Sequence, residues 1–266
     1  MRKQFIFIIL VSAGITEVRA QSVSLVGLNL TGGPSIGNRY TLARNSNQVL
    51  PDPGYKVNYM QMDDSLDLHD SYRAGFDLTA GLMFSTFSRM YFSVGASYRN
   101  TGYRRHFKGL KYHDSIQYMG EIDVNSDNGS KDITMNYRYH YIDLPCLFHY
   151  SLKKQEDQFE ETNYFISFGL APNFLIRDDF RARLFGFSIN EQVEFKGKDL
   201  YTVNKPFNLD FLLGGRFQGF IDEDWKFCIN PMIHVPLMSQ TTSGSGIDLR
   251  TWTVSLNAGV IYKFNN

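Results

Sequence analysis

The sequence has few cysteines, equal numbers of acidic and basic residues, and no long apolar run beyond residue 21. Its 266 residues include only two cysteines, Cys146 and Cys228, too few for a disulfide scaffold or a structural zinc site. Lysine and arginine number 27, as do aspartate and glutamate. No block of basic residues offers the many phosphate contacts on which nucleic-acid binding rests. Nucleic acid is therefore excluded as a partner.

Beyond Gln21 the chain also lacks any apolar stretch of about 18 residues, which excludes a transmembrane helix. Aromatic residues and glycine are abundant instead, with 22 Phe, 16 Tyr and 22 Gly. This composition is too aromatic for a disordered chain and too polar on average for a bundle of membrane helices. A β-rich protein remains.

The N-terminal residues have the pattern of a secretory signal peptide. Arg2 and Lys3 precede an apolar run over residues 5–11, and small residues then lead to Ala20. The apolar run is too short to cross a bilayer as a helix, which needs about 20 residues. We therefore expect residues 1–20 to be a signal peptide cleaved after Ala20, and residues 21–266 to form one exported domain.

Apolar and polar residues alternate with a period of two in eight segments. In the clearest one, residues 252–264, Leu256 falls on the apolar face and Asn257 on the polar face. A β-strand places successive side chains on opposite faces. Each segment has about ten residues, the length of a strand that crosses a bilayer at a tilt. The other segments are residues 22–30, which are weaker, and residues 75–85, 90–101, 141–152, 164–175, 207–219 and 225–237.

The connections between these segments alternate in length. Residues 86–89 and 221–224 are short, and 153–163 is fairly short, whereas the others are longer: 31–73, 103–138, 177–205 and 239–250. Outer-membrane barrels have this asymmetry. The sequence therefore predicts an all-β fold, an eight-stranded antiparallel up-and-down transmembrane β-barrel with long extracellular loops and short periplasmic turns. A soluble lipocalin-like barrel would instead place its apolar residues inside.

Aromatic residues concentrate at the ends of the predicted strands. Trp225, Tyr262 and Phe264 lie at the short-turn ends, and Trp252 lies near a long-loop end. Tryptophan and tyrosine prefer the headgroup level of a bilayer because their rings are amphipathic. We expect these four residues to be interface anchors.

The fourth segment carries a short motif, Tyr141-Ile142-Asp143-Leu144-Pro145. With the signal peptide ending in Ala-Gln and the eight strands, it resembles the PorT-like family of Bacteroidetes, also called the outer membrane protein β-barrel domain family, over about residues 22–264. One departure is that Phe264 is followed by two asparagines, whereas the barrel-assembly signal normally ends on an aromatic residue.

The resemblance implies an integral outer-membrane protein of a Gram-negative bacterium. Its partners would be outer-membrane lipid, lipopolysaccharide and, during biogenesis, the barrel-assembly machinery. It does not imply the secretion role of the family's namesake. We expect a non-enzymatic structural or interaction role, as an accessory to a secretion or envelope complex; the alternative is a small gated transporter or ligand-binding barrel.

Eight strands close on an interior that side chains just fill, which disfavours a general pore. The predicted inward face is polar and charged. We expect its residues to form a closed network of hydrogen bonds and ion pairs, because buried charges are costly unless paired; a narrow gated conduit is the alternative. The network residues are Asp77, Arg99, Asp143, His149, Asp210, Arg216 and Lys226, with Gln218, Asn230 and His234 beside them.

The second long connection contains a basic cluster, Arg104, Arg105, Lys108 and Lys111, with aromatic residues between the charges. It either binds lipopolysaccharide phosphates or a sugar, or is a basic rim that tolerates the anionic outer leaflet.

Three groups have the residue types of nucleophilic or acid–base sites. They are His69-Asp70-Ser71, His140 with Asp143, and His149 with Ser151. No flanking signature of an outer-membrane phospholipase, acyltransferase or protease accompanies them, so we expect no enzyme and no cofactor. His106 and His113 lack a third ligand nearby, so we expect no metal site.

Overall fold

The computed structural model describes residues 23–43, 70–87, 89–110, 131–153, 162–185, 193–197, 204–241 and 247–264. The predicted signal peptide and its cleavage site lie outside these residues. Among the described residues, no helix is long and apolar enough to cross a membrane.

Ten strands make up the regular structure of the described residues. They are β1 Ser24–Ala43, β2 Asp70–Phe87, β3 Met90–Leu110, β4 Lys131–Asp143, β5 Cys146–Ser151, β6 Asn163–Phe185, β7 Val193–Gly197, β8 Phe207–Phe220, β9 Trp225–Pro236 and β10 Ile247–Lys263.

The strands form one closed antiparallel ring. Neighbours along the ring are β1, β2, β3, β4, β6, β8, β9 and β10, and β10 pairs back onto β1 from Gly27 opposite Lys263 to Ala43 opposite Ile247. The short strand β5 continues the position of β4 between β3 and β6, after an interruption at Leu144 and Pro145. The ring thus has eight strand positions, and the predicted eight-stranded antiparallel barrel is confirmed. Strand β7 pairs only with an extension of β6.

The two ends of the barrel differ. The turn end carries the connections 88–89, 152–162 and 221–224, together with the start of β1 and the end of β10. The loop end carries residues 44–69, 111–130, 186–206 and 237–246. The predicted alternation of short and long connections therefore holds except at 237–246, which is no longer than the turn-end connection 152–162.

Several strands are longer than predicted, always toward the loop end. Strand β1 runs to Ala43 and β3 to Leu110, and β4 already begins at Lys131, within the stretches predicted as loops 31–73 and 103–138. Strand β6 likewise extends to Phe185. The extensions of β3, β4 and β6 lie beyond the apolar part of the barrel, where the outward positions are polar as well. The period-two signal on which the prediction depended is therefore absent there.

The barrel has apolar residues outside and polar residues inside. Leu78 and Leu256 are 55% and 53% exposed, whereas their neighbours Asp77 and Asn257 are 2% and 6% exposed. Such an apolar exterior, continuous around the cylinder, is unfavourable in water and suits the hydrocarbon of a bilayer. The two cysteines also lie on opposite faces, with Cys146 half-buried outside and Cys228 buried inside.

Aromatic rings in mutual contact mark both rims of the apolar exterior. At the turn end the Trp225 and Tyr262 centroids are 5.0 Å apart, and Tyr262 meets Phe264 edge-on at 5.7 Å. At the loop end Tyr72 meets Trp252 edge-on at 5.8 Å. The four predicted anchors thus lie at the rims of the apolar band, and the strand segments between the two rims are those that would cross the membrane.

Candidate functional site: a filled lumen

Arg99 lies at the centre of the lumen between two carboxylates. Its Nε donates to Asp143 Oδ2 at 2.8 Å and its Nη2 to Asp210 Oδ2 at 2.7 Å. The side chain is 2% exposed, and its guanidinium lies 5.1 Å from the centroid of the Tyr141 ring. Three strands, β3, β4 and β8, supply these charges. Alternation on each strand aims the residues inward, and closure of the ring brings them together.

A second charged layer closes the lumen nearer the loop end. Asp70, at the start of β2, accepts hydrogen bonds from Arg39 of β1 and from Arg105 of β3, the latter at 2.8 Å. The rings of Tyr103 and Tyr137 stack 4.4 Å apart beside these arginines. The Arg39 guanidinium lies over Tyr103, 5.0 Å from the ring centroid. All five side chains are almost fully buried, so this layer is a plug rather than an open mouth.

Two hydrogen bonds lie between the two layers, beginning at Thr251, which is paired with Arg39 in the register of β1 and β10. The Thr251 hydroxyl donates to Gln240 Oε1 at 2.7 Å, and Gln240 Nε2 donates to the Tyr141 hydroxyl at 2.5 Å. Tyr141 in turn packs against Arg99. The bonds fix the rotamers of these side chains and so fill the space between the layers.

The turn end of the lumen is closed mainly by apolar side chains. Arg216 donates from Nε to Asn230 Oδ1 at 3.0 Å and contacts the Met83 sulfur at 3.4 Å. Below it lies a cluster of buried residues, namely Met83, Tyr91, Phe165, Cys228 and Ile261. The sequence predicted only polar residues inside, so this apolar plug is a correction. A short barrel section beyond the membrane centre can be filled by packing alone, without paired charges.

A cavity of about 50 Å³ separates the Arg99 layer from the turn-end plug. Its lining includes Asp77, Asp143, His149, Arg216 and His234. One water needs about 10–15 Å³ of such volume, so the cavity holds a few waters at most. Within the described residues, the lumen is thus filled in layers.

The structure places each predicted network residue on the inner face. Asp77, Arg99, Asp143, His149, Asp210 and Arg216 are all buried there, as is Lys226, and so are Gln218, Asn230 and His234. It brings Arg99, Asp143 and Asp210 into direct contact. Sequence reasoning missed Arg39 and Asp70, which it had placed in a loop. The alternation of Ile36 and Tyr40 with Arg39 was the signal that would have extended β1.

The prediction that Arg104, Arg105 and Lys108 belong to a loop is wrong, because all three lie on strand β3. Arg104 and Arg105 are consecutive residues of β3 and therefore point to opposite faces. Arg105 is 1% exposed and binds Asp70 in the lumen, whereas Arg104 is exposed and donates to Asn136 Oδ1 at 3.1 Å. Lys108 also belongs to β3, and Lys111 lies outside the described residues.

The outer wall beyond the loop-end rim carries its own polar group around His140. The imidazole Nδ1 lies 2.5 Å from the Tyr98 hydroxyl, and Nε2 lies 3.4 Å from Asp179. Burial lowers the pKa of His140, although Asp179 opposes that effect. Partial burial would raise the pKa of the Asp179 carboxyl, but the hydrogen bond and the charge of Arg177 outweigh it and lower that pKa. Neutral pH therefore leaves His140 uncharged and Asp179 ionised.

The structure does not bring the residues of the three predicted nucleophilic or acid–base groups together as catalytic sites. His69 lies outside the described residues, and Asp70 is bound by two arginines. His140 points outward and Asp143 inward. His149 lies between two serine hydroxyls, 2.9 Å from Ser93 and 2.7 Å from Ser167.

The serine–imidazole group at His149 is 1% exposed and sealed in the lumen. Both ring nitrogens are taken up by hydroxyls, so no carboxylate orients the imidazole as a hydrolytic triad requires. In the described segments, no group of three or more His, Cys, Asp or Glu residues is placed to hold a metal ion.

Comparison with known proteins gives distant similarities only. No family model matches the chain, and no curated protein matches it. Among solved structures, the chain is similar to the outer membrane protein OprG of Pseudomonas aeruginosa, with 10% identity over 93% of this chain and 100% of that one, at a TM-score of 0.39. It is also similar to Ail, the attachment invasion locus protein of Yersinia pestis. The identity is 11% over 90% of this chain and 100% of that one, and the TM-score is 0.34.

The outer membrane protease OmpT of Escherichia coli has 11% identity to the chain over 92% of this chain and 99% of that one, at a TM-score of 0.36. Scores of this size are too low to establish a shared fold. The barrel is established by its own closed ring of strand pairings.

Proposed function

We propose that this chain is an integral outer-membrane β-barrel of a Gram-negative bacterium, with a non-enzymatic structural or interaction role, and that it acts as an accessory to an envelope or secretion complex. The PorT-like motif at Tyr141–Pro145 supports an assignment to Bacteroidetes. The observation that carries the proposal is the filled lumen. An apolar exterior commits the barrel to lipid, while the Arg99 and Asp70 layers close the interior. What remains for function is the surface and the long connections at the loop end.

The membrane part of the proposal is tested by fractionation. The full-length chain, expressed with its N-terminal region in a Gram-negative host, should be recovered in the outer-membrane fraction and begin at Gln21. Unboiled protein should migrate faster on a gel than boiled protein, because a closed barrel resists detergent unfolding. Recovery as a soluble periplasmic protein would refute the assignment.

The non-conducting part of the proposal is tested by conductance. The barrel in a planar lipid bilayer should show no steady current across a range of voltages, because charged, polar and apolar layers succeed one another along the lumen. The variant Arg99→Ala with Asp143→Ala and Asp210→Ala removes only the central layer and should also stay non-conducting, because the loop-end and turn-end plugs still close the lumen. Steady conductance of the unmodified barrel would favour the alternative, a small gated transporter.

The interaction part of the proposal is tested by affinity purification from native envelopes of cells that carry a tagged chain. The same envelope proteins should be recovered with the full barrel and lost when residues 44–69 and 111–130 are replaced by short linkers. The linker variant, which retains the barrel, separates loss of a partner from loss of folding.

A further inference from the structure

Beyond the loop-end rim, the outer wall of β3, β4 and β6 carries a group of arginines that point away from the lumen. Arg104 lies on β3, Arg138 on β4, and Arg177 and Arg181 on β6. The single carboxylate among the outward residues of these rows is Asp179. We call these four arginines the basic wall.

The register of the strands stacks the basic wall directly on the apolar band. Tyr98, Ile142 and Phe174 form one row of neighbours across β3, β4 and β6, at the level of the aromatic rim. In the next outward row, His140 lies opposite Arg177. In the row after that, Arg138 lies opposite Asp179. The third row contains Arg104, Asn136 and Arg181. Successive rows are about 7 Å apart along a strand.

The outward rows of the basic wall carry more positive than negative side chains. Asp179 accepts a hydrogen bond from Arg177 Nε at 2.8 Å and lies 3.4 Å from His140. The lowered pKa of His140 leaves that ring neutral near pH 7. Without counting Arg181, the three guanidinium groups of Arg104, Arg138 and Arg177 therefore face one carboxylate in these outward rows. Arg104 is exposed and uses one of its five N–H donors on Asn136.

This arrangement selects a ligand that joins anionic oxygens to hydrocarbon. Arginine is the residue that binds phosphate most favourably, through two parallel N–H donors. Below the arginines lies the exposed apolar surface of Phe174 and Ile176, 42% and 57% exposed, against which acyl chains pack. A soluble anion would use the arginines and leave that apolar surface unused.

We propose that the basic wall binds the phosphorylated glycolipid of the outer leaflet, lipopolysaccharide. Its phosphates would lie on Arg104, Arg138, Arg177 and Arg181, and its acyl chains against the apolar row beneath. The inference rests on the proposed function, since it requires the barrel to cross the outer membrane with its loop end outward.

The test compares variants of the full barrel, refolded in a neutral detergent, for binding of fluorescently labelled lipopolysaccharide. Arg104→Gln with Arg138→Gln removes two charges from the basic wall. Arg89→Gln with Lys153→Gln removes two charges at the turn end and is the matched control. Asp179→Asn removes the carboxylate that binds Arg177, so it makes the basic wall more positive, whereas the arginine substitutions make it less positive.

The wall variant should bind lipopolysaccharide about tenfold more weakly, as expected for the loss of two charge-assisted hydrogen bonds at an exposed site. The turn-end control should bind as the unmodified protein does. Asp179→Asn should bind more tightly, a gain that misfolding cannot produce. Dephosphorylated lipopolysaccharide should bind the unmodified barrel as weakly as intact lipopolysaccharide binds the wall variant.

Equal binding by the wall variant and the turn-end control would overturn the inference. So would displacement of lipopolysaccharide by inorganic phosphate at matched phosphate concentration, since that result would assign the arginines to a free anion. A heat-dependent gel shift is measured on every sample. Its absence in the unmodified chain would refute the membrane barrel itself, whereas a normal shift with equal binding would refute only the lipid site.

Discussion

Arg99 and Asp143 are joined by two hydrogen bonds, 2.8 Å from Nε to Oδ2 and 3.3 Å from Nη2 to Oδ1, in the middle of the barrel. The residues are 44 positions apart in the chain. Their contact closes the lumen at its centre, because the same guanidinium also holds Asp210 from the far wall. The barrel is thus cross-braced from β3 to β8 by one side chain.

Removal of Arg99 should be strongly destabilising. Arg99→Met leaves Asp143 and Asp210 buried without their cation, which typically costs about 3–5 kcal/mol. The free energy of unfolding of the lipid-inserted barrel, followed in urea by the fluorescence of its two tryptophans, measures the effect. The triple variant that adds Asp143→Asn and Asp210→Asn should recover most of the loss. Unchanged stability of Arg99→Met would contradict the proposed bracing.

A charge on the outer face should be penalised by the bilayer. Leu256 lies midway between the two aromatic rims and is 53% exposed, so Leu256→Arg should lower the stability of the inserted barrel by about 2–4 kcal/mol. Leu256→Met is the control. Asn257→Arg should act differently, through crowding of the lumen, and its effect should not depend on the thickness of the bilayer. Insensitivity of Leu256→Arg to bilayer thickness would reverse the assignment of the faces.

Gly102 should not tolerate a side chain. Its φ of 149° lies in a region that L-residues rarely adopt, and an added Cβ would lie 2.0 Å from the Tyr137 carbonyl oxygen. Gly102→Ala should therefore destabilise the barrel by about 1–3 kcal/mol and disturb the Tyr103–Tyr137 stack. Gly215→Ala is a matched control, because the nearest atom to its Cβ would be 3.7 Å away. Equal unfolding midpoints for the two variants would argue against close approach of β3 and β4 at Gly102.

The long connections should be dispensable for folding. Replacement of residues 44–69 and 111–130 by short linkers should leave the gel shift intact, because loop length contributes weakly to closure entropy. A broader deletion of residues 40–68 and 106–134 should fail. It would remove parts of β1, β3 and β4, among them the hydrogen bond between His106 and Thr134 at 2.7 Å. Survival of the broader variant would mean that the strand extensions are not structural.

The sequence by itself determined the membrane-spanning part of the fold. Alternation is a local property, so residues such as Leu256 and Asn257 are assigned to faces without knowledge of any partner strand. Short and long connections between the segments then gave the antiparallel order and the two ends. The inward position of Arg99, Asp143 and Asp210 follows from the same periodicity.

Only the tertiary structure decided which inward residues meet and where the strands stop. Asp70 lies on a segment where polar residues occupy both faces, so periodicity does not identify it as strand, whereas Arg39 alternates with Ile36 and Tyr40. The contact of Arg39 and Asp70 with Arg105 depends on the register between β1, β2 and β3. Likewise Arg104 and Arg105 are one basic cluster in the sequence. On strand β3, Arg104 points to the outer wall and Arg105 into the lumen, because successive side chains of a strand point to opposite faces.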